Sequence, residues 1–137
     1  MSWDIFVQDL PDAITSIREI PDHFRPRQDI CRRDEVVAAV MAIAPSATFE
    51  ENGWGSIDGP NLSIDVNLGN GEVLDGFAFH VRGNDGAAAR AIISEILGIL
   101  NLRAIDVSAT SGLFDEKGSA EGFRRWREYR DSVIARE

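Results

Sequence analysis

An Asn-Gly pair at positions 70 and 71 stands between two runs in which apolar and polar residues alternate, residues 62–68 and 73–81. Asn and Gly tolerate the positive φ angles of a two-residue type I′ turn, so the pattern predicts a β-hairpin. With that turn, opposing residue numbers sum to 141. Leu62 then faces Phe79, Ile64 faces Phe77 and Leu68 faces Val73. Apolar groups share one face of both strands. The other face carries Asn61, Ser63, Asp65, Asn67, His80 and Arg82, and it is expected to be solvent-facing or covered by the C-terminal segment. In this register Asp65 opposes Gly76, four residues and roughly 13 Å along the strand from His80, which keeps the two side chains apart.

A hairpin with one apolar face needs partners to bury it. Trp3, Ile5 and Val7 alternate with Asp4 and Gln8, which predicts a first strand, with Phe6 interrupting its polar face. Pro21 and Pro26 break any helix begun at Asp12, and residues 20–33 read as an ordered surface loop, long enough to carry function. Asp34 is expected to cap a helix whose stripe is Val36, Val37, Val40, Met41 and Ile43, closed by Pro45. Residues 53–57 add a strand, with Gly59-Pro60 in its turn. Gly83-Asn84-Asp85-Gly86 launches a second helix with Ala89, Ile92, Ile93, Ile96 and Leu100 inward, and Asn101 ends it. Residues 102–107 read as a strand. Ser119 is expected to cap a last, Arg-rich helix carrying Phe123, Trp126, Tyr129, Val133 and Ile134. The order β-α-β-β-β-α-β-α predicts an α+β fold: an antiparallel meander with helices mainly on one face. The chain reads as a single domain, residues 1–137, with residues 119–137 as a possible appended helix and a possible homodimer contact.

Charge and cysteine use narrow the function classes. The net charge of −9 is uneven. Residues 1–45 hold five Arg against eight acids, residues 46–118 four bases against eleven acids, and residues 119–137 five Arg against four acids. The acidic middle repels phosphates, which argues against nucleic acid and suits a basic protein partner. Cys31 is the one cysteine, so no internal disulfide forms and a reducing, cytoplasmic setting is expected. The opening MSWDIFVQDLP has no basic stretch followed by an apolar one, and no run approaches the roughly 20 apolar residues a membrane helix needs. No membrane association is expected.

Motifs for chemistry are mostly missing. His23, His80 and Cys31 do not fall in a metal-binding spacing, and no phosphate-binding glycine loop or nucleophile elbow is present. No catalytic residue, metal or cofactor is assigned. Arg32 and Arg33 follow Cys31 and would favour its thiolate, as would His80 if the fold brought it close, yet a lone cysteine is more often a bystander. Two candidate sites follow. Trp54, with Glu50, Glu51, Asp58 and Asp65 near it, has the composition of a surface that captures a basic protein, or else of a solvated sheet edge. Ser63, His80 and Arg82 offer an alternative ligand face. The first suits a non-catalytic, intracellular protein-binding module, for example an immunity-type protein. The second suits a small-molecule binder or enzyme.

Trp3-Asp4-x-Phe6-x-Gln8-Asp9-x-Pro11, Trp54-Gly55-x-Ile57-Asp58-Gly59, Phe79-His80-Val81-Arg82-Gly83 and Leu102-Arg103-Ala104-x-Asp106 resemble a family of small uncharacterised bacterial proteins. The resemblance covers most of residues 1–107 and implies bacterial origin and one domain. It implies no activity.

Overall fold

Nine strands and three helices follow one another in the computed structural model, which describes residues 1–136. The strands are β1 (Trp3–Gln8), β2 (Cys31–Arg32), β3 (Thr48–Phe49), β4 (Trp54–Gly59), β5 (Leu62–Asn67), β6 (Val73–Leu74), β7 (Gly76–Gly83), β8 (Arg103–Ile105) and β9 (Leu113–Phe114). The helices are α1 (Arg33–Ile43), α2 (Gly86–Leu100) and α3 (Glu116–Arg136). Seven strands form one antiparallel sheet in the order β3-β4-β5-β7-β1-β8-β9, and β2 pairs with β6 beside it. The α+β class read from the alternation is the class observed, and no helix among the described residues is long and apolar enough to cross a membrane.

Alternation decides which side of the sheet is buried. Trp3, Ile5 and Val7 of β1, Ile64 and Val66 of β5, and Phe79 and Val81 of β7 point to one side and are nearly inaccessible. The helices cover that side. α1 contributes Val36, Ala39 and Val40, and α2 contributes Ala89, Ile93, Ile96 and Leu97. Ala39 takes the place expected for Met41, which is 37% exposed, because the buried stripe is narrower than the sequence suggested. Phe123 and Trp126 bring α3 into the same core, with Phe123 set edge-on to Trp3 at 5.3 Å between ring centroids. A smaller cluster of Leu10, Ile14 and Leu113 lies apart from it, packed with Ile20 and Ile105. Through it the irregular segment after β1 covers the other side of the sheet at β8 and β9. Arg103 ties this cover down by donating to the carbonyls of Pro11 (3.0 Å) and Ile14 (2.7 Å).

The hairpin keeps its faces and changes its register. Leu62 pairs with Gly83, Ile64 with Val81 and Val66 with Phe79, so opposing numbers sum to 145. Neither Asn70 nor Gly71 adopts a positive φ, so no type I′ turn forms. Val73 and Leu74 leave the hairpin and pair with Arg32 and Cys31, and the Asp75 carboxylate accepts the Asp29 amide at 3.0 Å. The connection is therefore longer than two residues. A shift of four is even, so Leu62, Ile64, Phe77 and Phe79 stay inward as the pattern requires. It also overturns the predicted separation of Asp65 and His80, which are direct cross-strand partners.

Two helix caps also differ. The amide of Arg32 donates to the Glu35 carboxylate at 2.8 Å, so α1 begins one residue before Asp34. Asp115 accepts the Gly118 amide at 2.6 Å at the start of α3, while Ser119 is buried inside the helix and accepts from Arg90 at 3.0 Å. Asp85 and left-handed Asn101 bound α2 as read from the sequence.

Candidate functional site

The uncovered part of the sheet, from β3 to β1, presents a grid of side chains. Cross-strand pairing sets its rows. One row runs Trp54, Asn67, Ala78, Phe6. The next runs Thr48, Ser56, Asp65, His80, Asp4. A third runs Asp58, Ser63, Arg82. Apolar and aromatic groups thus stand beside a row of ionisable ones on one open surface.

Trp54 opens β4 and is 40% exposed. Gly53 precedes it with φ 87°, where a Cβ would collide with the Gly69 carbonyl oxygen, so only glycine makes this turn easily. The indole leans over β5 and stacks on His80, with centroids 6.0 Å apart and planes 29° from parallel. His80 Nδ1 lies 2.7 Å from Asp4 Oδ1, and the Ser2 hydroxyl donates to the same oxygen. Arg82 donates to Asp65 at 2.6 Å. Ser56 and Ser63 each donate to Asp58 at 3.1 Å. These pairs are partly exposed, and each contributes at most about 1 kcal/mol to folding. They order the surface more than they stabilise it.

Two hollows lie on this face, and the second is walled by Trp54. One, of about 470 Å³, follows the small residues Gly76 and Ala78 of β7 between Asn67 and Phe6. The other, of about 300 Å³, lies between Glu50, Trp54, Ser56 and Asp65. Phe6, on one wall of the first hollow, matches Trp54 in exposure at 40%.

The two sites expected from the sequence are therefore one. Trp54, Glu50, Asp58 and Asp65 share the face with Ser63, His80 and Arg82. Glu51 lies in the β3–β4 turn, exposed, with its carbonyl accepting from Arg33 at 3.2 Å. Asp4, Phe6 and Ala78 were missed as site residues. Asp4 and Phe6 carried a signal, since both fall outward in the alternation of β1. What the sequence did not carry is that β1 lies next to β7.

The Ser56 and Ser63 hydroxyls are spent on Asp58, and His80 has Asp4 for its hydrogen-bond partner. No nucleophile–base pair forms among these groups. Cys31 is buried, and burial, reinforced by Glu35, pushes its thiol up to about 11. That overrides the activation its arginine neighbours suggested. Among the described residues no group of three or more His, Cys, Asp and Glu side chains is placed to hold a metal ion. No family model, no curated protein and no solved structure matches the chain, so the site is read from its own geometry.

Proposed function

We propose that this chain is a non-catalytic binding module that holds a basic protein on the open face of its sheet. The observation that carries the reading is Trp54, exposed and stacked on His80 among Glu50, Asp58, Asp65 and Asp4. An ordered aromatic supplies apolar burial at low entropic cost, and the carboxylates around it steer a positive partner and fix its register. Among the described residues Arg82 is the one guanidinium in these rows, and it is already paired to Asp65. An immunity-type role, in which the module occupies the basic substrate surface of a toxin, fits this chemistry. The reading places the chain in the cytoplasm, where a lone thiol stays reduced. Tyr129 and Ile134 of α3 remain exposed, and a homodimer would form through them.

A small-molecule site on the same face is the second reading, favoured by the Asp4–His80 pair in the row next to Phe6 and Ala78. Binding to a partner isolated from the native cell discriminates the two. Trp54→Ala is expected to weaken that binding at least 10-fold, while a half-exposed side chain costs about 1 kcal/mol or less of stability. Glu50→Lys is expected to slow association and to flatten its dependence on salt. An acidic partner, or one insensitive to both substitutions, would overturn the reading.

A further inference from the structure

We infer that the partner presents a basic amphipathic helix, seated in the hollow along β7 between Phe6 and Asn67, with Trp54 beyond Asn67 in the same row. The inference rests on the binding reading above and goes further by naming the element that binds.

Three observations carry it. The first is width. Trp54 and Phe6 end one row of the grid, with Asn67 and Ala78 between them. Three strand spacings separate their backbones by about 14 Å. The Trp54 indole leans inward over β5, so the clear width is smaller than this, and a helix about 10–12 Å across rests above β7 with its underside against both aromatics.

The second is relief. Helices pack closely on a sheet where the strand beneath carries small side chains. β7 presents Gly76 and Ala78 at the floor of this hollow, while Phe6 and Gln8 rise on one side and Asn67 on the other. Gly76 itself has no room for a Cβ, which would press on the Val7 carbonyl oxygen at 2.7 Å.

The third is the backbone account. β7 is paired along one side to β5 and along the other to β1. Its amides and carbonyls are used in those ladders. An extended peptide laid on the middle of a sheet finds no backbone partners and buries its own polar groups unpaired. A helix satisfies its backbone internally and exposes only side chains. Helices α1, α2 and α3 already cover the opposite side of the same sheet on this principle.

Charge then fixes the composition of the helix. Asp65 and Asp4 lie in the row beside the aromatic one, Asp58 in the row beyond, and Asp75 borders the hollow at its other end. An apolar stripe flanked by Arg and Lys complements this arrangement, with the stripe between Phe6 and Trp54 and the cations over the carboxylates.

Two display libraries test it against the whole chain. One randomises the exposed face of a helical scaffold and the other randomises an unconstrained twelve-residue peptide. Helical binders should dominate, with Arg and Lys bordering an apolar stripe. Phe6→Ala and Trp54→Ala should each weaken them at least 10-fold, and Ala78→Leu, which raises the floor, should do the same. If peptide binders that respond to these variants are enriched as strongly as helical ones, the binding face stands and the helix does not. If binders of both kinds ignore all three variants, the inference and the binding reading fall together.

Discussion

Asp106 is fully buried just after β8, and Gly122 of α3 lies so close to its carboxyl that no Cβ would fit there. One oxygen accepts the Ser108 amide at 3.0 Å, while Oδ2 and the indole nitrogen of the neighbouring Trp3 make no well-formed hydrogen bond. Burial pushes this carboxyl up to about 6, and Glu121 adds to the rise. The Trp3 indole and the Ser108 amide oppose it. The sign follows from linkage. The folded state holds the proton more tightly than the unfolded chain does. The stabilisation is therefore complete below about pH 4, the ordinary value, and is lost as pH rises through about 6. A shift of this size is about 3 kcal/mol. Glu121, held low first by the Thr110 amide, works in the opposite sense, but below its ordinary value of 4.5. Unfolding followed from pH 4 to pH 7 should show falling stability, and Asp106→Asn should flatten that slope. An unchanged slope would contradict the account. In the sequence Asp106 is one acid among 23, and nothing local marks it as buried, because burial comes from α3 folding back over it.

Helix α3 is the element whose place the sequence left open. Its apolar residues required burial without saying against what. Phe123 packs on Trp3, on Trp126 and over Gly86 of α2, where no Cβ would fit beside the ring. Arg130 lies over the Trp126 ring at 5.0 Å and donates to the Gly83 carbonyl at 3.1 Å, so the helix is fastened to the end of β7 as well. Phe123→Ala should cost about 3–5 kcal/mol, the usual loss for a buried ring, measured by chemical denaturation. A loss under 1 kcal/mol would show α3 to be dispensable. The hairpin teaches the complementary lesson. Alternation of period two fixed the faces of β5 and β7 from local chemistry, and those faces are observed. Register depended on whether Asn70-Gly71 would form the turn. Pairing of Val73 and Leu74 with a distant segment decided that instead. The short strands β2, β3 and β9, two residues each, were not legible, since two residues carry no period, and β6 was read as the start of the hairpin arm.

Across the whole molecule, three helices cover one side of the sheet, and on the other the segment after β1 covers only β8 and β9. The side left open carries Glu50, Asp58 and Asp65 from the acidic middle of the chain, with Asp4 beside them, while the Arg-rich segment lies in α3 among the helices. Composition made the acidity visible, and the alternation made the polar face visible. Their coincidence on one surface, with Trp54 reaching across to His80, needed the strand order. The account's central claim is that this open face, and not the helical layer, meets a basic partner. The direct measurement is photocrosslinking in the native cell from a reactive residue placed at Ser63, on the open face, and in parallel at Ile99, exposed on α2. The account predicts a crosslink to a basic protein from position 63, lost with Trp54→Ala, and none from position 99. A partner captured from position 99 and not from position 63 would contradict it.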